Sequence, residues 1–205
     1  MHSISEDVVL LTLNIDSMPL FKSRSYQIRP ILARIHGYTH FIIKIFGGTC
    51  KPNLHIFLKN LVDKLKILCL TPLTYLGKNY HIKVHDFDCD APARMMFKGI
   101  VYHTGYHLCE RCTKVGKSVL DRDVYGYADG KFTILRSNVE FCNNKYFQKD
   151  VNERSHQRKK IVLRDISVIN FVSMFPLDYM HLVCLGLMRR ILNFLKGSIN
   201  GYNLI

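Results

Sequence analysis

Strand-like and helix-like apolar segments follow one another in an order that few folds accommodate. Residues 8–15 (VVLLTLNI) form an apolar run rich in β-branched side chains, typical of a buried strand. Residues 27–35 and 41–46 are two further apolar runs, and the three together predict an antiparallel meander. Apolar side chains recur at helical spacing over residues 54–68, which predicts an amphipathic helix. Alternation over residues 80–84 predicts a fourth strand, which is expected to enter the sheet parallel to the first.

This β-β-β-α-β order predicts an α/β fold with a mixed sheet and an acid at the ends of the first and fourth strands. Asp16 ends the first run and Asp90 follows the fourth, with Asp86 and Asp88 as competitors on the same face. Carboxylates at two neighbouring strand tips can share divalent cations such as Mg²⁺ or Mn²⁺, as two-metal phosphodiester cleavage requires. The alternative is that both acids are turn residues that accept hydrogen bonds from nearby backbone N–H groups.

The charge balance indicates a polyanionic partner. Lys and Arg number 29 against 16 Asp and Glu, a net charge of +13, which favours nucleic acid first and an anionic membrane surface second. No stretch reaches the roughly 18 apolar residues of a membrane span. The N-terminus lacks a signal-peptide pattern, so we expect an intracellular protein. The densest basic segment is either a DNA-phosphate contact or a solvated loop; its candidate residues are Arg154, Arg158, Lys159, Lys160 and Arg164.

The seven cysteines include one motif with metal-ligand spacing. An odd count without an export signal indicates reduced thiols or metal ligands, not a disulfide framework. Cys109 and Cys112 have the spacing of half a tetrahedral Zn²⁺ site. His103 and His107 lie close enough in sequence to complete it, and a distant pair of ligands would serve equally well. The alternative is a pair of incidental cysteines.

A final helix is predicted over residues 177–196, and it carries an acid and an imidazole near its start. Asp178 and His181 are three positions apart and therefore share a helical face. The functional interpretation is a pair beside a metal ion or a DNA phosphate. The alternative is that Asp178 interacts with the helix dipole while His181 packs at the rim. The predicted apolar face comprises Met180, Cys184, Leu187 and Ile191.

Four segments occur in a characteristic order: LNIDSMPLFKSRSYQIRPILARI, CDAPARMMFKGI, HTGYHLCERC and FPLDYMHLVCLGLMRRIL. Together they resemble the catalytic region of cut-and-paste DNA transposases of the CACTA (En/Spm) group, and the transposase-domain proteins of animal genomes in particular. The resemblance covers residues 8–196. It implies an RNase H-like fold, nuclear location, DNA as partner, and a DDE triad binding two Mg²⁺ ions, with Asp16 as its first acid and Asp90 as its second.

The resemblance also assigns the remaining motifs. It places Cys109 and Cys112 in a zinc-binding insertion whose other ligands are histidines far downstream, and it matches Asp178 and His181 to a DxMH signature. It divides the chain into an RNase H-like core (residues 1–100), a basic CxxC insertion (101–165) and a DxMH helix segment (166–205).

Two features depart from the family pattern. Ser17 stands where Gly is common, and the third acid, a Glu expected after the DxMH segment, has no match. We therefore expect an incomplete and largely inactive transposase-derived domain without membrane association, with homo-oligomerisation an option for its full-length ancestor. The alternative is a non-catalytic basic module that binds DNA or protein and carries a structural zinc site.

Overall fold

The chain has an α/β fold built on one mixed sheet, and the computed structural model describes residues 8–20, 25–102, 106–119, 122–124, 133–147 and 155–196. The sheet contains β1 (Val8–Ile15), β2 (Met18–Pro19), β3 (Gln27–Ile35), β4 (His40–Gly48), β5 (Leu73–Tyr75) and β6 (Lys78–Cys89), while β7 (Lys117–Val119) pairs separately with β8 (Arg122–Val124). The helices are α1 (Leu54–Leu70), α2 (Ala91–Lys98), α3 (Asn138–Cys142), a 3₁₀ turn (Val162–Asp165), a π-helix (Met180–Met188) and α4 (Arg189–Leu195).

The three N-terminal apolar runs form the predicted antiparallel meander. β3 pairs with β1, placing Ile31 opposite Ile15, and β4 pairs with β3. The short β2 continues the same register along β3, with Met18 opposite Ile28. β4 lies at an edge of the sheet, and its apolar side chains are largely exposed, Ile42 to 61%. The prediction of the meander is confirmed, and β4 extends beyond the predicted 41–46 at both ends.

The chain returns to the sheet beside β1, as predicted. β6 runs parallel to β1 from the pair Val8 and His81 to the pair Ile15 and Cys89. The short strand β5 was not predicted. It pairs antiparallel with the start of β6 through a two-residue turn. Both turn residues, Leu76 and Gly77, have positive φ (48° and 75°), the geometry that matches the twist of a tight hairpin.

The predicted amphipathic helix is α1, and it covers the sheet. Asn53 caps its N-terminus by accepting the backbone N–H groups of His55 and Ile56. Its apolar stripe is buried in the core together with residues of β1 and β6. Each such side chain contributes about 1.5–3 kcal/mol on burial, so this face fixes α1 on the sheet; its buried members are Phe57, Leu58, Leu61, Val62 and Leu65.

A second helix, α2, begins directly after β6 and was not predicted from the sequence. Asp90 caps the helix by accepting the N–H of Ala93 at 2.7 Å, a Pro occupies the first turn, and Gly99 ends the helix at φ 64°. These are ordinary start and stop signals, but only eight residues separate them, too few for a clear apolar period.

The C-terminal helix differs from its prediction in form and in packing. The turns from Met180 to Met188 are π-helical, and only Arg189–Leu195 is α-helical. None of these residues is buried, so the predicted apolar face is solvent-exposed; for example, Leu187 is 56% exposed. Periodicity identified the helix correctly, but none of the residues in these two helical segments is buried. Within the described ranges, no helix is long and apolar enough to cross a membrane.

Candidate metal centre

Asp16 and Asp90 occupy equivalent places at the carboxyl ends of two neighbouring strands. They directly follow Ile15 and Cys89, which are register partners in the parallel pairing of β1 with β6. The side-chain amide of Asn14 donates to the backbone carbonyl of Asp88 at 2.9 Å, which connects the two strands just before their carboxyl ends. Because the strands run parallel, their acids emerge at the same edge of the sheet.

Each acid also makes a local backbone contact. One carboxylate oxygen of Asp16 accepts the N–H of Ser17 at 2.6 Å, and one of Asp90 accepts the N–H of Ala93 at 2.7 Å. These contacts match the turn-residue alternative of the sequence analysis. They engage only Oδ1 of each residue, and the described residues donate no hydrogen bond to either Oδ2. The contacts therefore hold one oxygen of each carboxylate against its local backbone.

The pKa of Asp90 depends on its burial and on the charged groups near it. Burial raises the pKa of Asp90, the Ala93 N–H lowers it, and the negative charge of Asp16 raises it further, so the net shift is upward. Asp178 adds to the upward shift and His181 opposes it. A bound cation relieves this kind of carboxylate repulsion.

The Asp178–His181 pair lies beside the strand-end acids. Asp178 accepts the backbone N–H of His181 at 3.1 Å, and its other oxygen bonds ring Nδ1 of His181. The hydrogen bond with Asp178 raises the pKa of His181, and the charges of Asp90 and Asp16 raise it further. The His181 side chain is 49% exposed. The carboxylates of Asp16, Asp90 and Asp178 and the half-exposed imidazole of His181 lie near one another beside the carboxyl ends of β1 and β6. We call this region the acid edge.

Two contacts bring the segment that precedes Asp178 to this edge. The ring of Phe175 stacks on that of Phe87 in β6, with centroids 4.6 Å apart and planes 5° apart. The N–H of Phe87 also donates to the carbonyl of Met174 at 2.8 Å. Because residues 174–175 are fixed along β6 in this way, Asp178 lies near the end of that strand.

A buried ion cluster joins this segment to α2 and to the CxxC turn. Glu110, between the two cysteines, receives Arg94 Nε at 2.6 Å and Lys98 Nζ at 2.5 Å. All three side chains are at least 94% buried. Arg94 also donates to the carbonyls of Cys89 and Pro176, both at 3.2 Å. Sequence reasoning missed these residues; two cations within α2 and an acid in the CxxC motif were the only available signal.

The strand-end acids suit Mg²⁺ in charge and ligand type. No group of three or more His, Cys, Asp or Glu side chains that could hold a metal ion occurs among the described residues. Mg²⁺ uses one or two carboxylates and completes its shell with water and substrate phosphate. Asp16 and Asp90 therefore offer two carboxylates, which is at most part of a Mg²⁺ coordination shell.

The CxxC turn supplies two adjacent thiols. Sγ of Cys109 and Sγ of Cys112 are 3.2 Å apart, and burial raises the pKa of Cys112. Tetrahedral Zn²⁺ with Zn–S bonds of about 2.3 Å separates two sulfurs by about 3.8 Å, so the thiols fit one edge of such a site after a small opening. The carbonyl of His107 contacts Nδ1 of His156 at 2.8 Å, and His103 lies outside the described residues.

The predicted basic residues have different surroundings. Arg158, Lys159 and Lys160 are exposed. Arg164 instead donates to the side chain of Asn144 and to backbone carbonyls of α3, so its guanidinium holds the local fold together. Arg154 lies outside the described residues.

Comparison with known proteins gives no independent assignment. No protein-family model matches the chain, and no curated protein is significantly similar to it.

Proposed function

We propose that this chain is a transposase-derived, RNase H-like domain whose strand-end acids bind divalent cations for phosphodiester chemistry on DNA. The principal support is the placement of Asp16 and Asp90 after register partners of two parallel strands. The order of strands around β1 and the charge of +13 are consistent with the same assignment. The motif order of the sequence supplies the link to the CACTA-type transposases.

The side chains at this edge have distinct tasks in the proposal. Asp16 and Asp90 would hold the cation through their carboxylates, while Oδ1 of each accepts a backbone N–H. A bound Mg²⁺ would supply activation of an attacking oxygen and stabilisation of a leaving one. His181, whose pKa is raised by Asp178, carries positive charge over a wider pH range than free histidine and attracts a DNA phosphate to the edge.

Cation binding tests the proposal directly. We expect Mn²⁺ affinity, measured by electron paramagnetic resonance on the full chain, to fall about tenfold or more in Asp16→Asn and Asp90→Asn. Asn is as good a helix cap as Asp, so the second change preserves the start of α2. Asp63→Asn, in an exposed ion pair on α1, is the matched control and leaves Mn²⁺ binding unchanged. Equal Mn²⁺ affinity in all four proteins would contradict the assignment.

Strand cleavage is a separate readout. The third acid of the triad has no match among these residues, so we expect the chain to nick supercoiled DNA weakly or not at all with Mg²⁺ or Mn²⁺. Robust nicking that disappears in Asp16→Ala would show that these residues already form a complete catalytic set.

A second candidate function is a non-catalytic DNA-binding module with a structural zinc site. It is favoured by the backbone contacts of Asp16 and Asp90, which also suit purely structural acids, and by the exposed basic residues 158–160. It predicts duplex-DNA affinity that falls steeply with salt and needs no divalent cation. It also predicts co-purifying zinc in the wild type that is lost in Cys109→Ser; absence of zinc in both would remove that part.

A further inference from the structure

A basic pocket of about 350 Å³ lies beside the start of α1. Of its lining residues, only Lys159 and Lys160 also belong to the exposed basic residues of the second candidate function. We call it the lysine pocket. Its lining combines the apolar residues Leu54, Leu58 and Met96 with polar and charged residues. Its volume falls within the range of small-molecule sites in proteins; the polar and charged lining side chains are Lys51, Asn53, His55, Tyr102, Lys159 and Lys160.

The charge of this pocket is of one sign. Three lysines line it, and no Asp or Glu does. None of the ion pairs in the described part of the chain involves these lysines. The N-terminus of the seventeen-residue α1, next to the pocket, contributes further positive potential. Cations gathered without counter-charge repel one another, and an anion in the pocket would remove that repulsion.

The pocket is shaped by contacts that exist without a ligand. Lys51 Nζ donates to the hydroxyl of Tyr102 at 2.9 Å and lies over its ring, 4.9 Å from the centroid. The N–H groups of Arg158 and Lys159 both donate to the carbonyl of Gly99, at 2.8 and 3.2 Å. A Cβ at Gly99 would lie 2.4 Å from the carbonyl oxygen of Lys159, so glycine permits this close approach. The lysine backbone is therefore positioned in advance.

The lysine pocket is separate from the strand-end acids. Asp90 precedes α2, whereas Met96, near the other end of α2, lines the pocket. Met96 is six residues beyond Asp90, which corresponds to about 9 Å along the helix axis.

We propose that the lysine pocket binds the phosphate of a nucleotide. The lysine ammonium groups would contact the phosphate oxygens, and the apolar residues Leu54, Leu58 and Met96 would pack against the sugar or base. The phosphate can belong to a free nucleotide or to a nucleotide within a DNA strand, since both present the same group. The proposal is independent of cation binding at Asp16 and Asp90.

Amide chemical shifts of the ¹⁵N-labelled full chain provide the test. The probes are inorganic phosphate, deoxyadenosine monophosphate and a short single-stranded oligodeoxynucleotide. We expect saturable shifts in the amides that line the pocket, with affinity lowered about tenfold or more in the double variant Lys159→Gln/Lys160→Gln. The matched control is Lys64→Gln/Lys83→Gln, which removes the same charge from exposed positions elsewhere and changes the affinity less than about twofold.

Each outcome decides between the possibilities. Saturable binding of the mononucleotide at the pocket supports a free nucleotide, and binding of the oligonucleotide alone supports a DNA phosphate. Failure of all three probes to shift the pocket amides, or an equal loss in the control, overturns the proposal. Asp16→Asn separates the two sites, because it removes Mn²⁺ binding while the phosphate titration is retained.

Discussion

The substitution Glu110→Gln tests the buried ion cluster that connects the CxxC turn to α2. Glu110 is the only acid that contacts Arg94 and Lys98 among the described residues, and the three side chains are 5%, 6% and 1% exposed respectively. The change keeps the shape of the side chain but leaves two buried cations facing a neutral amide. Arg94 and Lys98 repel one another in that state, and their burial limits screening by solvent.

The expected loss is large because both partners are desolvated. Removing one member of a buried, hydrogen-bonded charge cluster costs about 3–5 kcal/mol of unfolding free energy. The loss of unfolding free energy also depends on pH, because Lys98 can release its proton. Burial already lowers the pKa of Lys98, and Glu110 opposes this shift, so the pKa falls further in the variant. A base with a depressed folded-state pKa binds fewer protons when folded, so the stability of the variant rises with pH.

Urea unfolding at pH 7 and pH 9 measures both effects. We expect Glu110→Gln to lose about 3–5 kcal/mol at pH 7 and less at pH 9. Asp63→Asn, in an exposed pair with Lys59 on α1, is the control and should lose about 0.5 kcal/mol or less. If Glu110→Gln loses less than about 1 kcal/mol of unfolding free energy, or if its loss does not depend on pH, the cluster is not charged and buried as assigned.

Three further predictions follow from individual side chains. Burial lowers the pKa of His156 to about 3, so the stability that neutral His156 contributes is present above pH 6.5 and is lost as the pH falls toward 3. In urea unfolding at pH 5, the wild type should lose about 2 kcal/mol of unfolding free energy relative to neutral pH, and His156→Gln should not. His181 should titrate above pH 6.5 by NMR and return to its usual range in Asp178→Asn, since Asp178 is the main cause of the upward pKa shift; an unchanged titration would contradict the pairing. Gly99→Ala should lower stability by more than about 2 kcal/mol in a thermal or urea scan, because φ is 64° and the new Cβ would meet the Lys159 carbonyl; a neutral effect would contradict that backbone geometry.

The strands and α1 could be predicted because their signals are local. Apolar runs of eight or nine residues at 8–15 and 27–35 allow little besides buried strands, and α1 repeats its apolar stripe over four turns. The parallel return of β6 followed from the single helix between it and the meander. The π-helix at 180–188 could not be predicted, because its sequence satisfies ordinary helical spacing and its altered backbone register has no periodic signature.

Only part of the candidate site could be predicted from the sequence. Strand ends of parallel neighbours coincide, so Asp16 could be paired with the acids near the end of β6. The choice of Asp90 over Asp86 and Asp88 came from the family resemblance. The cluster of Arg94, Lys98 and Glu110 depends on the tertiary packing of two segments that lack a shared pattern, and isolated charges in a sequence suggest solvent exposure by default. The burial of these charges is therefore visible only in the folded chain.

The buried cluster gives the CxxC turn a mechanical connection to the acid edge. Glu110 lies between the two cysteines, so the conformation of that turn fixes the carboxylate that holds Arg94. Arg94 in turn bonds the carbonyls of Cys89 and Pro176, which precede Asp90 by one residue and Asp178 by two. Two buried side chains, Glu110 and Arg94, thus connect the CxxC turn to the backbone that carries these acids. The CxxC turn and the acid edge therefore belong to one structural unit, and perturbing either is expected to alter the other.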